Sequence, residues 1–305
     1  MYLSYSGFKS YTSCPRMYWH QYIGKTKLVI PENAVNSLYG SIVGNLFETF
    51  YSAKLWRETG VEQKLLGLVP SHFLKVVAKE TREGGGRTIR WKPEDSKANY
   101  ASPDALLDDV RVTIPRGLSI IRQHRLLGPT QSEAEVKLDH TVDGHTIGGR
   151  ADFLIKRIAP YLDLVLIDGK GSKWRDKYVD VRQLKWYAML HRLKHGFMPD
   201  KLGFVFWRFE AERAMDWVDF SEAELVELQG AVLSTMQRIE ETTAQLATLG
   251  GSDVPSALRE TFPPSPGERC RLCAFRLVCP EGQHFDSVRV PIPDGTGVED
   301  VVFNG

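Results

Sequence analysis

The sequence predicts an α/β fold, a mixed sheet flanked by helices behind a helical N-terminal part. Three observations carry this. Glu133-Ala-Glu-Val-Lys-Leu-Asp-His140 alternates like a strand and runs into Asp143-Gly144, a strong hairpin signal. Residues 181–195 are amphipathic at helical spacing and close on Gly196. Ser221-Glu-Ala-Glu224 is a capping box that opens a long helix to Leu249. Strand and helix patterns interleave through this half of the chain, as they do in a layered α/β core.

The other elements follow in order. Residues 4–23 predict one or two short helices broken at Cys14-Pro15, because proline suits a first turn and disfavours helix before it. The aromatic density of this segment favours packing on the body over a free arm. Residues 36–58 predict a helix with Leu38, Ile42, Leu46 and Phe50 on one face. Gly40 and Gly44 sit inside it at roughly 1 kcal/mol each relative to Ala, which points to close packing or a site. Residues 81–103 read as irregular around Gly84-Gly85-Gly86, and 105–127 as a helix ended by Gly128-Pro129. Residues 145–156 read as the hairpin's return strand and 162–168 as a third, more buried one. Strands at 203–210 and 214–220 precede the capped helix. Residues 251–269, rich in Pro and Gly, read as a linker. The expected organisation is a mainly helical part over 1–130, a core over 131–250, and a linker, cysteine segment and acidic tail over 251–305.

The 305 residues are 42% apolar and 25% charged. That composition excludes a disordered, collagen-like or coiled-coil chain. No apolar run approaches the roughly 18–20 residues of a membrane span. The N-terminus lacks a basic-then-apolar leader pattern, so the expectation is a soluble, cytoplasmic protein without a membrane partner. Net charge is only +1, yet residues 1–30 carry Lys9, Arg16, Lys25 and Lys27 and no acid. Residues 165–195 carry eight Lys/Arg against three Asp. Such zones suggest a local polyanion site, with solvated helix faces as the plainer alternative. Cys14, Cys270, Cys273 and Cys279 are the only cysteines, and three of them cluster, which favours a metal site over disulfides.

The chemistry concentrates in 133–190. Asp168 ends a strand, and Lys170, two residues on, projects to the same side. A neighbouring strand can bring Asp152 beside them. Two carboxylates can hold Mg²⁺ or Mn²⁺, and an adjacent lysine can orient a water toward a phosphodiester. Gln183 and Tyr187 lie one turn apart on the next helix, as do Arg182 and Trp186. Lys173, Trp174 and Arg175 precede that helix. Cations interleaved with tryptophan suit a single strand, although core packing explains Trp186 and Tyr187 equally well. His140, His145 and His191 read as surface histidines.

Gly149-Arg-Ala-Asp152, Asp168-Gly-Lys170 and Gln183-Leu-Lys-Trp-Tyr187 together resemble the PD-(D/E)XK nuclease superfamily. The similarity is greatest to RecB-like exonucleases, including CRISPR-associated ones and the AddB nuclease domain. The resemblance implies a restriction-endonuclease-like mixed central sheet. It implies Asp152 and Asp168 as metal ligands, Lys170 as the catalytic lysine, and Gln183 and Tyr187 as supports of the site. Lys173, Trp174, Arg175, Arg182 and Trp186 would bind DNA. In the iron–sulfur branch one cysteine lies near the N-terminus and three near the C-terminus. Cys14, Cys270, Cys273 and Cys279 would then hold a [4Fe–4S] cluster. Spacing alone fits a Zn(Cys)₄ staple as well.

One departure stands out. The family usually carries a histidine ligand in a G-x-x-x-H pattern, and Gly40-Ser-Ile-Val-Gly44 places a glycine there. Glu48, one turn on, and Glu135 are substitute candidates. The expected function is a metal-dependent DNA exonuclease acting on single strands or ends in recombination, repair or DNA processing, in a bacterial, archaeal or phage-infected cell. The alternative is a weak or inactive DNA-binding subunit of a recombination or CRISPR-adaptation complex. The sequence has no G-x-x-x-x-G-K-[ST] motif, so a helicase would be a partner.

Overall fold

The computed structural model describes residues 1–26, 32–83, 88–91, 100–175, 179–248 and 254–285. The glycines at 84–86, residues 251–253 and the tail from 286 lie outside them. Strand β1 (Tyr2–Ser4) runs straight into α1 (Tyr5–Ser13), whose N-cap Ser4 accepts the Gly7 N–H at 3.2 Å. Cys14 closes α1 in an extended conformation, and Pro15 opens α2 (Pro15–Tyr18) at its first position, as the sequence predicts. A π turn, Trp19–Ile23, follows.

Strand β2 (Glu32–Ala34) leads into α3 (Val35–Ser52); α4 (Val61–Glu83), β3 (Thr88–Arg90) and α5 (Pro103–Gln123) come next. The second half holds β4 (Ser132–Lys137), β5 (His140–Val142), β6 (His145–Gly148), β7 (Arg150–Lys156) and β8 (Leu164–Lys170). Then come α6 (Val181–His195), β9 (Lys201–Phe206), β10 (Met215–Val218), α7 (Glu222–Ala247), α8 (Val254–Thr261) and α9 (Pro280–Gln283).

Among the described residues the central sheet has the order β10-β9-β8-β7-β4. Only β8 and β9 are parallel in it, joined by the crossover helix α6. On one face α1, α6 and α7 pack Phe8, Trp186, Met189 and Val232 against Leu154, Leu166 and Phe204. On the other face α3, α4 and α5 pack Phe47, Leu65 and Ile114 against Phe153, Ile167 and Trp207. The buried run Leu164–Ile167 is apolar on both sides because helices cover both faces. This mixed sheet between helical layers is the restriction-endonuclease-like α/β fold.

Four expectations are corrected. The return strand at 145–156 is divided at Gly149: β6 joins β5 and β1 in a small sheet, and β7 enters the central one. Residues 61–83, for which the sequence predicts no element, form α4 despite Pro70, because Leu65, Val69 and Val76 bury one face. The linker region contains α8. His191 is 1% exposed, and its Nδ1 lies 2.9 Å from the Phe197 carbonyl oxygen, so it is a core histidine. The hairpin turn and capping box are found as expected: Asp143 (φ 50°) and Gly144 (φ 78°) make the left-handed pair. The Ser221 N–H donates to Glu224 at 2.8 Å. Among the described residues no helix is long and apolar enough to cross a membrane.

Candidate active site

Strand register builds the site. Phe153 pairs with Ile167 and Leu154 with Leu166, so one step further Asp152 stands opposite Asp168. On the other side Ala134 pairs with Phe153 and Val136 with Ala151, which places Glu135 opposite Asp152. The register thus aligns three acids in one row across β4, β7 and β8. Asp168 and Lys170 share the strand parity of Leu166, toward α6, while Asp152 lines a cavity walled by α3.

Each acid has one immediate partner. Asp168, 3% exposed, is ion-paired with Lys170. Asp152 Oδ2 accepts the Gly169 N–H at 2.8 Å. Glu135 has a left-handed backbone (φ 53°) and accepts from Arg150 at 3.0 Å. Burial, and then the facing Asp168 carboxylate, push Asp152 up to about 7. Burial also raises Asp168, against the pull of Lys170. Carboxylates stacked this way with one ammonium among them form a donor set suited to a hard divalent cation. Among the described residues, no three His, Cys, Asp or Glu side chains converge on one ion as they stand. An ion would have to draw the carboxylates from these partners.

A cavity beside the row is lined by Gly44, Asn45 and Glu48 of α3, by Glu135, and by Asp152 and Gly169. Burial and the nearby Glu135 raise Glu48. A Cβ on Gly44 would meet nothing within 4 Å. The glycine in the histidine's place therefore leaves open space facing the acids. A Cβ on Gly40 would likewise meet nothing within 4 Å; the close approach is required of Gly171, whose Cβ would fall 2.8 Å from the Gly40 Cα.

Helix α6 closes the other side. Gln183 donates to the Tyr187 hydroxyl at 3.0 Å. Burial pushes Tyr187 up to about 12 against that bond, and Asp168 and Asp152 add to the rise. A Cβ on Gly149 would lie 2.9 Å from the Tyr187 ring, so the motif glycine is the seat of this tyrosine. The structure therefore gathers Asp152, Asp168, Lys170, Gln183 and Tyr187, with Glu135 beside them and Glu48 behind Glu135.

The expected DNA-binding residues divide. Lys173 and Arg182 are exposed, and Trp174 is half-buried. Arg175 is tied to Asp216 on β10. Trp186 is a correction. Its ring is fully buried between Tyr5 and Phe8, and its Nε1 donates to the Gly148 carbonyl at 3.2 Å. It docks α6 on the chain just before Asp152 and has no face left for a base.

Cys14, Cys270, Cys273 and Cys279 form no disulfide and line one small cavity, with Arg16 and His20 in its wall. Burial raises Cys273 and Cys279. Four sulfur donors around one cavity fit a metal centre by donor chemistry.

Two supports of the site carry no local sequence signal. Arg208 donates to Gly171, Asp109 and Tyr100. Asp180 accepts from Tyr5 and Lys9, both at 2.7 Å. No spacing rule links residues so far apart in the chain.

The sequence model of the PD-(D/E)XK nuclease superfamily matches residues 2–280, and the chain belongs to that superfamily. It is a nuclease by family, and PD-(D/E)XK nucleases use Mg²⁺ or Mn²⁺. Comparison with the curated proteins found no match. Among solved structures the chain is similar to the protein named SSO0001. The identity is 16% and the TM-score 0.30, over 90% of this chain and 94% of that one. It is also similar to a protein of Eubacterium rectale described as a candidate exonuclease. There the identity is 14% and the TM-score 0.41, over 95% of this chain and 90% of that one.

Proposed function

We propose that the chain is a Mg²⁺- or Mn²⁺-dependent DNA exonuclease that hydrolyses single strands or strand ends, in the manner of the RecB-like enzymes. The observation that supports this best is the register row Glu135–Asp152–Asp168 with Lys170 at its end. A bound divalent ion would supply polarisation of the scissile phosphoryl group. Asp152 and Asp168 would hold it, with Glu135 or Glu48 in place of the family histidine. Lys170, an ammonium in its pair with Asp168, would orient the attacking water, whose proton passes to solvent while the leaving oxygen takes one up. The water oxygen bonds to phosphorus, the P–O bond to the leaving sugar breaks, and a phosphomonoester and a hydroxyl remain. Gln183 and Tyr187 brace the pocket, while Lys173, Trp174 and Arg182 hold the DNA. A helicase or recombination protein would deliver the strand.

The test is digestion of end-labelled single-stranded DNA with Mn²⁺. Lys170→Ala should abolish cleavage while keeping DNA binding; cutting at the wild-type rate would overturn the assignment.

The four cysteines are proposed to hold a [4Fe–4S] cluster. Anaerobically purified protein should be brown, with iron and sulfide each near four per chain on that ligand count. A colourless protein with one zinc would refute the cluster. The second reading, a DNA-binding subunit without catalysis, is favoured by Gly44. Binding without digestion under either Mg²⁺ or Mn²⁺ would select it.

A further inference from the structure

The exposed positions of α1 are not random. Ser6, Lys9 and Thr12 follow one another at helical spacing, and the stripe beside them, Tyr5, Phe8 and Tyr11, is buried. The exposed stripe faces the start of α6, and a trough runs between them, walled on the α6 side by Asp180, Arg182 and Gln183. Its occupants differ in availability. Lys9 is bonded to Asp180 at 2.7 Å. Arg182 makes no ion pair with a described carboxylate and lies 4.8 Å over the Phe8 ring. Ser6 is exposed; Thr12 is exposed too, but its hydroxyl donates to the Phe8 carbonyl at 2.9 Å.

The trough does not end blindly. A second cavity shares Tyr5 and Ser6 with it and continues past Tyr187 to Gly149 and Arg150. Arg150 binds Glu135, which lines the cavity of the acids. At its other end the trough is lined by Ser13 and Met17; Met17 also lines the cysteine cavity. The cavities therefore follow one another along α1: Met17 is common to the cysteine cavity and the trough, and Tyr5 and Ser6 to the trough and the cavity that ends at Arg150.

We propose that the trough along α1 is part of the track for the single DNA strand being cut, with the sugar–phosphate backbone laid along Ser6, Lys9 and Arg182. The inference rests on the nuclease reading and extends it, assigning a binding surface to the N-terminal helix. The chemistry fits a single strand read without sequence preference. A hydroxyl and cations serve phosphates, which every sequence presents alike. In the ligand-free state Asp180 holds Lys9 in place. A phosphate entering the trough would compete with Asp180 for that ammonium.

The test uses the full chain, a 5′-fluorescein oligo(dT) and EDTA, so that nothing is cut. The main variant is Ser6→Glu. Ser6 lies in the first turn of α1, where an acid suits the helix dipole, so folding is preserved while the track gains a negative charge. Ser6→Glu, alone and combined with Lys9→Gln, should weaken binding about tenfold at moderate salt, and the salt slope should shrink by roughly 0.7 for each phosphate no longer neutralised. The melting temperature of Ser6→Glu should be equal to or above that of the wild type. Wild-type binding with unchanged affinity and salt slope in the variants would overturn the track and leave the nuclease reading standing. A wild type that binds no oligonucleotide would overturn both.

Discussion

Arg208 Nε donates to the Gly171 carbonyl at 2.7 Å, one residue beyond Lys170. The same guanidinium reaches Asp109 and Tyr100, each at 2.5 Å, and lies 3.3 Å over the Tyr39 ring. A fork bonded on three sides has little freedom, so it fixes the backbone where β8 ends. Arg208→Ala should release that anchor and let Lys170 drift. A misplacement near 1 Å can cost about 10²-fold in rate. The expected result is a fall in kcat with KM for DNA little changed, partly recovered in Arg208→Lys. A change in KM alone would assign Arg208 to binding instead.

Asp152 sets a pH dependence in the metal-free protein. Burial and Asp168 raise its folded value to about 7, against 3.8 without the fold. The folded state therefore binds a proton that the unfolded chain has released. That contribution to stability is full below the unfolded value and is lost as pH rises through the folded one. In EDTA, the melting temperature should decline between pH 5 and pH 8, and Asp152→Asn should flatten the decline. Mn²⁺ should offset it, with release of a proton that calorimetry in buffers of different ionisation enthalpy would detect. A flat wild-type profile in EDTA would contradict the assignment.

Gly44 offers a gain-of-function experiment. Its Cβ direction is open, and it lines the same cavity as Glu48, Glu135 and Asp152. Gly44→His should add an imidazole ligand and tighten Mn²⁺ binding in titration calorimetry. Replacing an interior helix glycine also removes a penalty of up to about 1 kcal/mol, so the metal-free protein should not be destabilised. Unchanged Mn²⁺ affinity would show that the ion, if bound, sits elsewhere than this cavity.

Much of the fold was legible in the sequence where the signal is local. Ser221 with Glu224, Asp143-Gly144 and Gly196 act within a few residues and fold as read. Asp168 and Lys170 share a side because strand parity is local too. Helix α4 was hidden because Pro70 and Gly67 look like breakers, yet the burial of Leu65, Val69 and Val76 outweighs a cost of about 3 kcal/mol for an interior proline. Trp186 shows the other limit. A tryptophan beside Arg182 and Lys185 reads equally as a stacking platform or as core. Only the packing of Tyr5 and Phe8, some 180 positions earlier in the chain, decides for the core. The opposition of Glu135 to Asp152 likewise depends on a register that no motif states.

The joining of the chain's two ends need not depend on the cysteines. Arg16 is 5% exposed, and it donates to the Phe262 carbonyl at 3.0 Å and to the Leu258 carbonyl at 2.9 Å. These oxygens lie at the C-terminal end of α8, where a cation is favoured by the helix dipole. The guanidinium thus holds the C-terminal segment on α2 through protein bonds alone. Arg16→Ala removes two charged hydrogen bonds and leaves buried carbonyls without them, a loss of about 2–3 kcal/mol. Chelator-treated Arg16→Ala protein should melt several degrees below chelator-treated wild type, whereas Cys14→Ser under the same chelator should melt with the wild type. If Cys14→Ser fell as far as Arg16→Ala in the absence of any metal, the thiol itself would be part of the structural tie. The cavity would then be a packed joint as well as a candidate metal centre.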